Sequence, residues 1–351
     1  MHSAELVTNI PLFSGLTPAE IDSILSISRY VAFAPGTHLM RQGQSADGVF
    51  IVESGAVDVM TALPGGGELT LASVGAGSVL GEMALLDAGV RSATVVTRTP
   101  VAGHWIDRDG FRMLLAQRNS AVFTLQGRIT LALCRRLREL NAKIVAREAP
   151  SDHAWGGLPD VPPAIRRSVC PFNYRAFLPI LPLFRAFEAE EIEELTAHTA
   201  ILDAPRGTIL VEQGVPSTAC YIVIRGAIEV SMVHAGGRHR IGILGPGRLC
   251  GHMGLIDGVA HSATMIAREN ATLLEIAQAE FDRLYNGCDR INVKFRDAIN
   301  RNLLEALAHT NNHLTRLISQ ARIRDQRPRG AGEIDELERV LGTQDCGTPP
   351  G

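Results

Sequence analysis

An internal repeat constrains the fold of this chain more than any other feature of its sequence. The repeat pairs short segments, in the same order, along two stretches of the 351 residues. The paired segments are Ile10-Pro11-Leu12-Phe13 with Leu181-Pro182-Leu183-Phe184, Ala34-Pro35-Gly36-Thr37 with Ala204-Pro205-Arg206-Gly207-Thr208, Gln42-Gly43 with Gln213-Gly214, Phe50-Ile51-Val52 with Tyr221-Ile222-Val223, and Gly75-Ala76-Gly77 with Gly245-Pro246-Gly247. Self-similarity in this order indicates two copies of one domain. Each copy is long enough to bury its own core.

Each copy is predicted to be mainly β-structure with flanking helices. Short alternating apolar runs separated by glycine turns are typical of a jelly roll or barrel and not of βαβ units. Thr17 and Glu20 form a capping box for a short helix that ends near Ile27. Helical sequence is predicted again from Asp109 to about Arg147. The predicted strands of the first copy are Val49–Val52, Ala56–Val59, Leu69–Ala72, Thr94–Thr97 and Val101–Ile106.

The loop at residues 81–94, called the first loop below, carries the clearest functional signal. It reads Gly81-Glu82-Met83-Ala84-Leu85 and, after six residues, Arg91-Ser92-Ala93-Thr94. Backbone amides in a glycine turn that opens a helical turn form an anion site. An arginine grips a phosphate with two parallel N–H···O bonds, whereas a glutamate suits a sugar hydroxyl. The candidate ligand-binding residues are Gly81, Glu82, Met83, Ala84, Arg91, Ser92 and Ala93. A surface turn with a Glu–Arg ion pair is the alternative for the isolated loop.

The spelling GEMAL followed by RSAT resembles the phosphate-binding cassette of cyclic-nucleotide-binding domains. That superfamily includes the bacterial catabolite activator proteins and the regulatory subunit of protein kinase A. The resemblance implies two jelly-roll β-barrels, each with flanking helices and a long C-terminal helix that covers the ligand. It also implies cyclic AMP as the ligand in preference to cyclic GMP, since Ser92 is similar to the bacterial cyclic-AMP receptors and cyclic-GMP-selective relatives often carry Thr there.

Two long helices carry apolar stripes that suit coiled-coil-like contacts. The first stripe follows Ser120, and it either pairs with another chain or packs on the protein's own barrel. The second predicts a homodimer through the long C-terminal helix. By resemblance to the catabolite activators, Asn141 is expected to contact the base of a ligand bound in the first copy. The stripes are Ile129, Leu133, Leu137, Leu140 and Ile144, and Ile299, Leu303, Leu307, Thr310, Leu314 and Leu317.

The equivalent loop of the second copy, residues 251–264 or the second loop, keeps the glycine frame but changes the side chains. His252 stands where Glu82 stood, and His261 stands where Arg91 stood. A neutral imidazole has no fixed charge, and loss of a buried cation opposite a phosphate costs about 2–5 kcal/mol. The second copy is therefore predicted not to bind a cyclic nucleotide. A different anion, pH-gated binding through protonated His261, and a metal held by the two histidines are the alternatives.

The domain prediction has four parts: 1–147 with the intact cassette, a proline-containing linker at 148–177, the second domain at 178–323, and a flexible tail at 324–351. Arginines near residue 322 and a short apolar stripe at Ile334, Leu337 and Leu341 mark the tail. We expect no DNA-binding winged helix, catalytic domain, metal or cofactor. Any DNA binding is expected to be weak and sequence-independent.

The composition, with 46% hydrophobic and 20% charged residues, is that of a soluble globular protein. The net charge of −3 recruits neither nucleic acid nor membrane, and no apolar run of transmembrane length or signal peptide is found, so a cytoplasmic location is predicted. The six cysteines lack CxxC spacing. Cys134, Cys220 and Cys250 lie in apolar-patterned segments, so reduced packing residues are expected in preference to disulfides or a metal site. The sequence thus predicts a cytoplasmic cyclic-nucleotide receptor, not an enzyme, that signals to a separate protein partner. A scaffold built from non-signalling barrels is the alternative.

Overall fold

The structure is a computed structural model that describes residues 10, 13–62, 68–86, 89–148, 162–168 and 174–324. Two compact units are formed: the first contains the described residues up to Ala132 together with residues 318–324, and the second is Leu133–Leu317. The division falls inside a long helix and not at residue 147, so the distal half of that helix is counted with the second unit.

The first unit contains two four-stranded antiparallel sheets with the strand orders β1-β8-β3-β6 and β2-β7-β4-β5. This interleaved order is that of a jelly roll. Its elements are α1 (Pro18–Leu25), β1 (Ser28–Phe33), β2 (His38–Met40), β3 (Gly48–Ser54), β4 (Ala56–Ala62), β5 (Glu68–Gly75), β6 (Val79–Leu80), β7 (Thr94–Thr97), β8 (Val101–Asp107), α2 (Arg108–Ala116) and α3 (Ser120–Val145).

The core of the first unit lies between its sheets. Inward-facing residues of several strands, among them Phe50, Val57 and Val95, form one buried cluster that includes Leu80 at the edge of the first loop. Thr17 caps α1 through the predicted capping box with Glu20. The repeat and its alternating runs therefore place the first loop directly against the core.

The helical stretch after β8 is interrupted, which corrects the prediction of continuous helical sequence from Asp109 to Arg147. Helix α2 ends at Ala116, Arg118 takes a positive φ of 59°, and α3 begins at Ser120. The Asn119 side chain accepts from the Ala121 N–H at 3.1 Å, so the break supplies an N-terminal cap for α3. The apolar stripe of α3 is buried along its whole length.

The second unit repeats the arrangement with the orders β15-β12-β17-β10-β9 and β11-β16-β13-β14. The prediction of two jelly rolls is confirmed. The elements are β9 (Arg166–Arg167), α4 (Tyr174–Phe177), α5 (Ala189–Ala197), β10 (Ala200–Ala204), β11 (Ile209–Val211), β12 (Ala219–Arg225), β13 (Ile228–His234), β14 (Gly237–Leu244), β15 (Leu249–Cys250), α6 (His252–Asp257), β16 (Thr264–Ala267), β17 (Ala271–Ala277), α7 (Gln278–Asn286) and α8 (Arg290–Arg324).

Part of the predicted linker at 148–177 belongs to this second fold. Strand β9 pairs with β10, and the Ser168 hydroxyl contacts the Asp203 carboxylate at 2.6 Å. The tail from residue 325, with its predicted short apolar stripe, lies outside the described residues.

The apolar stripe of α8 is covered by the chain itself. Ile299, Leu303, Leu307 and Leu314 are fully buried within the single chain. A second copy would therefore have to contact other faces of this helix, and the predicted homodimer stays a prediction.

Three of the four described cysteines are buried as packing residues, and Cys288 is an exposed free thiol. Cys134, Cys220 and Cys250 are buried free thiols, and burial raises the pKa of Cys250 to about 12. Cys170 and Cys346 lie outside the described residues. No helix in the described part of the chain is long and apolar enough to cross a membrane.

Candidate functional site

The first loop begins with a left-handed glycine. Gly81 follows β6, has a φ of 76°, and opens a 3-10 turn at Glu82–Leu85. A side chain at Gly81 would collide with Nη1 of Arg91 and would come within 3.0 Å of Met40 Sδ. Glycine is thus required both for the backbone conformation and for the close approach of the arginine.

The 3-10 turn is anchored on one side and open on the other. Ala84, Leu85 and Leu86 are buried, whereas Glu82 and Met83 are half-buried at the surface of the loop. The Ala84 N–H donates to the Gly81 carbonyl at 2.9 Å, so this amide is used inside the turn. The predicted contacts of Met83 and Ala84 with a ligand stay predictions.

Arg91 is the central cation of the first loop. Its backbone is fixed to the segment after β2, since Gly43 N–H donates to the Arg91 carbonyl and Arg91 N–H donates to the Gln44 carbonyl. Its side chain is only 6% exposed, and Nη2 donates to Asp47 Oδ1 at 2.8 Å. Nη1 is buried without a hydrogen-bond partner among the described residues.

The surroundings of Arg91 keep it charged and directed into the loop. Its Cζ lies 5.7 Å from the centre of the Trp105 ring, a distance suited to a cation–π contact. Burial lowers the pKa of Arg91, and the carboxylates of Asp47 and Glu82 oppose that shift. An arginine remains protonated under these conditions, so the loop presents one positive charge with an unused buried donor.

The other predicted residues are more dispersed. Ser92 is exposed, and Ala93 packs against the core of the first unit. Asn141 belongs to the second unit, where its Oδ1 accepts from the Thr310 hydroxyl at 3.4 Å. The structure thus places Asn141 in contacts of the second domain, and its expected role toward a base in the first domain stays a prediction.

Sequence reasoning missed Asp47. The residue lies 44 positions before Arg91 and belongs to no local motif. Its equivalent in the repeat is Thr218: the Arg108 N–H donates to the Asp47 carbonyl just as the Gln278 N–H donates to the Thr218 carbonyl. Both members of the Asp47–Arg91 pair are replaced in the second copy, by Thr218 and His261. A comparison of the two copies could therefore have identified the pair from the sequence.

The second loop has the same backbone with different chemistry. Gly251 has a φ of 81° and opens α6, and His261 is fixed by backbone bonds to Gly214 and Val215, as Arg91 is to Gly43 and Gln44. Burial lowers the pKa of His252 to about 4, although Asp257 acts in the opposite direction. Burial and nearby Arg138 both lower the pKa of His261. Both imidazoles are therefore neutral at pH 7.

A cation from elsewhere in the second unit reaches the second loop. Arg138, on the distal half of α3, binds both oxygens of Asp257 at 2.7 and 3.0 Å and donates to the Ala260 carbonyl at 3.0 Å. The Asp257 side chain is 1% exposed. The pair therefore brings no net charge to the loop.

Metal binding finds no further support in this part of the protein. Within the described residues, no three or more His, Cys, Asp and Glu side chains are grouped so as to hold a metal ion. Two histidines alone are weak evidence for a metal.

Known proteins resemble this chain in both halves. The cyclic nucleotide-binding domain family matches residues 30–118 and 201–288, about half of the chain. The cyclic AMP receptor protein of Thermus thermophilus is 34% identical over 134 residues, which cover 38% of this chain and 60% of that protein. The cAMP-dependent protein kinase regulatory subunit of Aspergillus niger is 34% identical over 106 residues, 30% of this chain and 25% of that protein.

The chain therefore spans less than two thirds of the length of these relatives. Among solved structures, the regulatory domain of Toxoplasma gondii PKA with cAMP is similar over 82% of this chain and 92% of that chain, with a TM-score of 0.31 and 18% identity.

Proposed function

Because the chain belongs to the cyclic nucleotide-binding domain family, we propose that its first domain is a receptor for cyclic AMP, with cyclic GMP a weaker ligand, and that it signals to a separate protein. One observation carries the proposal: Arg91 is buried and positioned by Asp47, and its Nη1 has no hydrogen-bond partner among the described residues. A buried guanidinium N–H without a partner favours an anionic ligand.

The phosphate and the ribose of the ligand are bound by different residues. A cyclic phosphate is a monoanion that accepts from Nη1 of Arg91 and from backbone amides of the 3-10 turn. Glu82 repels a phosphate, and it accepts a hydrogen bond from a ribose hydroxyl. A ligand that satisfies both Arg91 and Glu82 must carry a ribose hydroxyl next to a phosphate. The ribose and cyclic phosphate of a cyclic nucleotide meet this requirement.

The second domain is proposed not to take part in cyclic-nucleotide binding. It lacks Asp47, Glu82 and Arg91 at once, with Thr218, His252 and His261 in their places. Neutral imidazoles cannot replace a buried cation facing a phosphate.

The output of the receptor is proposed to be conformational. Helix α3 starts in the first unit and ends in the second, so one continuous helix connects the ligand-binding domain to the rest of the chain. We propose neither a catalytic step nor sequence-specific DNA binding, and the cytoplasm is the proposed location. Two of the relatives are named as a cyclic AMP receptor protein and a cAMP-dependent protein kinase regulatory subunit, and this supports a cyclic nucleotide as the ligand.

Isothermal titration of the full chain with cyclic AMP tests the proposal. We expect one site per chain and a loss of about 30-fold or more in affinity for Arg91→Ala. Arg91→Lys should also bind weakly because lysine lacks the planar fork. The matched control is His261→Ala, the same position in the second domain, which should leave the affinity unchanged.

The thermal midpoint of the apo Arg91→Ala protein should stay close to that of the wild type. The Asp47 side chain is 73% exposed, so loss of its partner leaves a carboxylate that water solvates. Two equivalent sites would contradict the assignment of the second domain. A folded chain that binds neither cyclic AMP nor cyclic GMP would contradict the receptor function and favour the scaffold.

A further inference from the structure

The second unit contains a cavity of about 990 Å³ beside the second loop. Its walls are strands β13 and β14, the second loop, the distal half of α3 and the middle of α8. Every lining residue in the described part of the chain lies between Leu137 and Arg316, and so belongs to the second unit. This volume is at the upper end of the range for small-molecule sites.

His252 is a buried polar residue in the wall of this cavity. The residue is 5% exposed, lines the cavity, and has neither ring nitrogen hydrogen-bonded to a described residue. A neutral imidazole has one N–H donor and one acceptor nitrogen. Leaving both without a partner costs about 1–3 kcal/mol each, and a ligand hydroxyl, which both donates and accepts, can satisfy them.

The wall that the second loop forms does not favour a phosphate. His252 and His261 are neutral because burial lowers the pKa of each. The one cation that reaches the loop from α3, Arg138, is compensated by the buried carboxylate of Asp257. A phosphate placed here would lose its hydration without gaining a net opposite charge.

The remaining walls suit a flat ring with polar edges. Leu137, Val230, Ile241 and Leu303 contribute apolar surface, and Asn302 and Asn312 contribute side-chain amides. Amides can form paired hydrogen bonds with the edge of a heterocyclic base. The charged lining residues outside the second loop and α3 are paired or exposed: Arg248 contacts Glu305, His313 contacts Glu148, and Arg240 and Arg316 are exposed.

We propose that this cavity is a second ligand site that takes an uncharged nucleoside, a hydroxylated sugar joined to a heterocyclic base, and excludes cyclic nucleotides. The sugar hydroxyls bind His252 in the position that Glu82 occupies in the first domain. The base lies between the apolar walls and the amides of α8. The site is separate from the cyclic-nucleotide site, and its occupation does not depend on Arg91.

The test uses the full-length Arg91→Ala chain, in which the first site is silenced. Titration with adenosine, inosine and guanosine should show binding of at least one, at one site per chain, while cyclic AMP and free ribose should bind at least about 10-fold more weakly. Failure of the first-domain proposal would appear as cyclic-AMP binding that persists in this variant and does not change when His252→Leu is added. Failure of the nucleoside-site proposal would appear as the absence of nucleoside binding.

A pair of variants at His252 separates chemistry from packing. His252→Leu fills a similar volume without polar atoms and should weaken the nucleoside at least about 10-fold, the loss expected for about 1.4 kcal/mol of hydrogen bonding. His252→Gln keeps a donor and an acceptor and should bind within about threefold of the parent. Nucleoside affinity that is unchanged in a folded His252→Leu chain, or equal affinity for cyclic AMP, would overturn the proposal.

Discussion

Asp47 determines how Arg91 is used. Its carboxylate is largely exposed, so the ion pair adds little to stability. Its effect is geometric: it fixes Nη2 and leaves Nη1 directed at Gly81, whose missing side chain makes room for the nitrogen. The aspartate is therefore a positioning residue for the phosphate-binding arginine.

We expect Asp47→Asn to reduce cyclic-AMP affinity by about 10-fold, because the guanidinium loses a charge-assisted bond that orients it. Titration calorimetry measures the loss, with Asp22→Asn on the exposed side of α1 as the control. An affinity that rises in Asp47→Asn would show that the carboxylate competes with the phosphate.

His252 makes the stability of the second domain depend on pH. Its folded pKa is about 4, whereas an unfolded histidine titrates near 6.5. The unfolded chain therefore binds a proton first, and the stabilisation is complete above about pH 6.5 and is lost as the pH falls toward about 4. The expected loss is about 3 kcal/mol. Urea unfolding of the wild type and His252→Gln between pH 7.5 and 4 measures it, and parallel pH profiles would refute it.

Only part of this site could be predicted at the residue scale. Glu82 and Arg91 were identified because their spacing is local and their chemistry is explicit. Asp47 was not, because its partner lies 44 residues away and only folding brings them together. The neutrality of His252 was predicted from its type, but its complete burial depends on the packing of the second domain.

At the scale of elements, the distal half of α3 is built into the second domain. Arg138 is bound by Asp257, and Val145 packs with Met232 and Ala263. Glu148, just after the helix, pairs with His313 at 2.8 Å. The apolar period of α3 predicted a buried face, but it contained no information on which domain would bury each half. The interruption at Arg118 was also missed, since sequence on both sides of it is helical.

The Arg138–Asp257 pair should be the strongest polar contact of that helix. Arg138→Met leaves the buried Asp257 carboxylate without its cation, with the Val259 N–H still donating to Oδ1, and should reduce the free energy of unfolding by about 3–5 kcal/mol. Adding Asp257→Asn should recover part of the loss. A double-mutant cycle by urea unfolding measures the coupling, and additive effects would contradict a direct pairing.

At the scale of the whole molecule, the repeat predicted most of the architecture. Strands β10 to β17 reproduce the pairing of β1 to β8, because equivalent glycine turns and alternating runs recur in both copies. The domain boundaries were harder to predict from the sequence than the folds of the two domains. Proline content marked 148–177 as a linker, yet Arg166–Arg167 adds a strand to the second fold, and a two-residue strand has no periodicity to detect.

Continuity of α3 gives the last prediction. A ligand shifts a conformational equilibrium only through its different affinities for the two states, so a signal that leaves the first domain must change how this helix is held. We expect cyclic AMP to alter hydrogen exchange in residues 120–145 and also beyond residue 178.

Asn141→Ala, which removes the contact with Thr310, should reduce the change in the second domain and weaken binding modestly. Thr61→Ala, on a half-buried position of strand β4 in the first domain, serves as the control. Exchange changes confined to residues 30–105 would mean that the two domains are thermodynamically independent, and that α3 connects them without transmitting the signal.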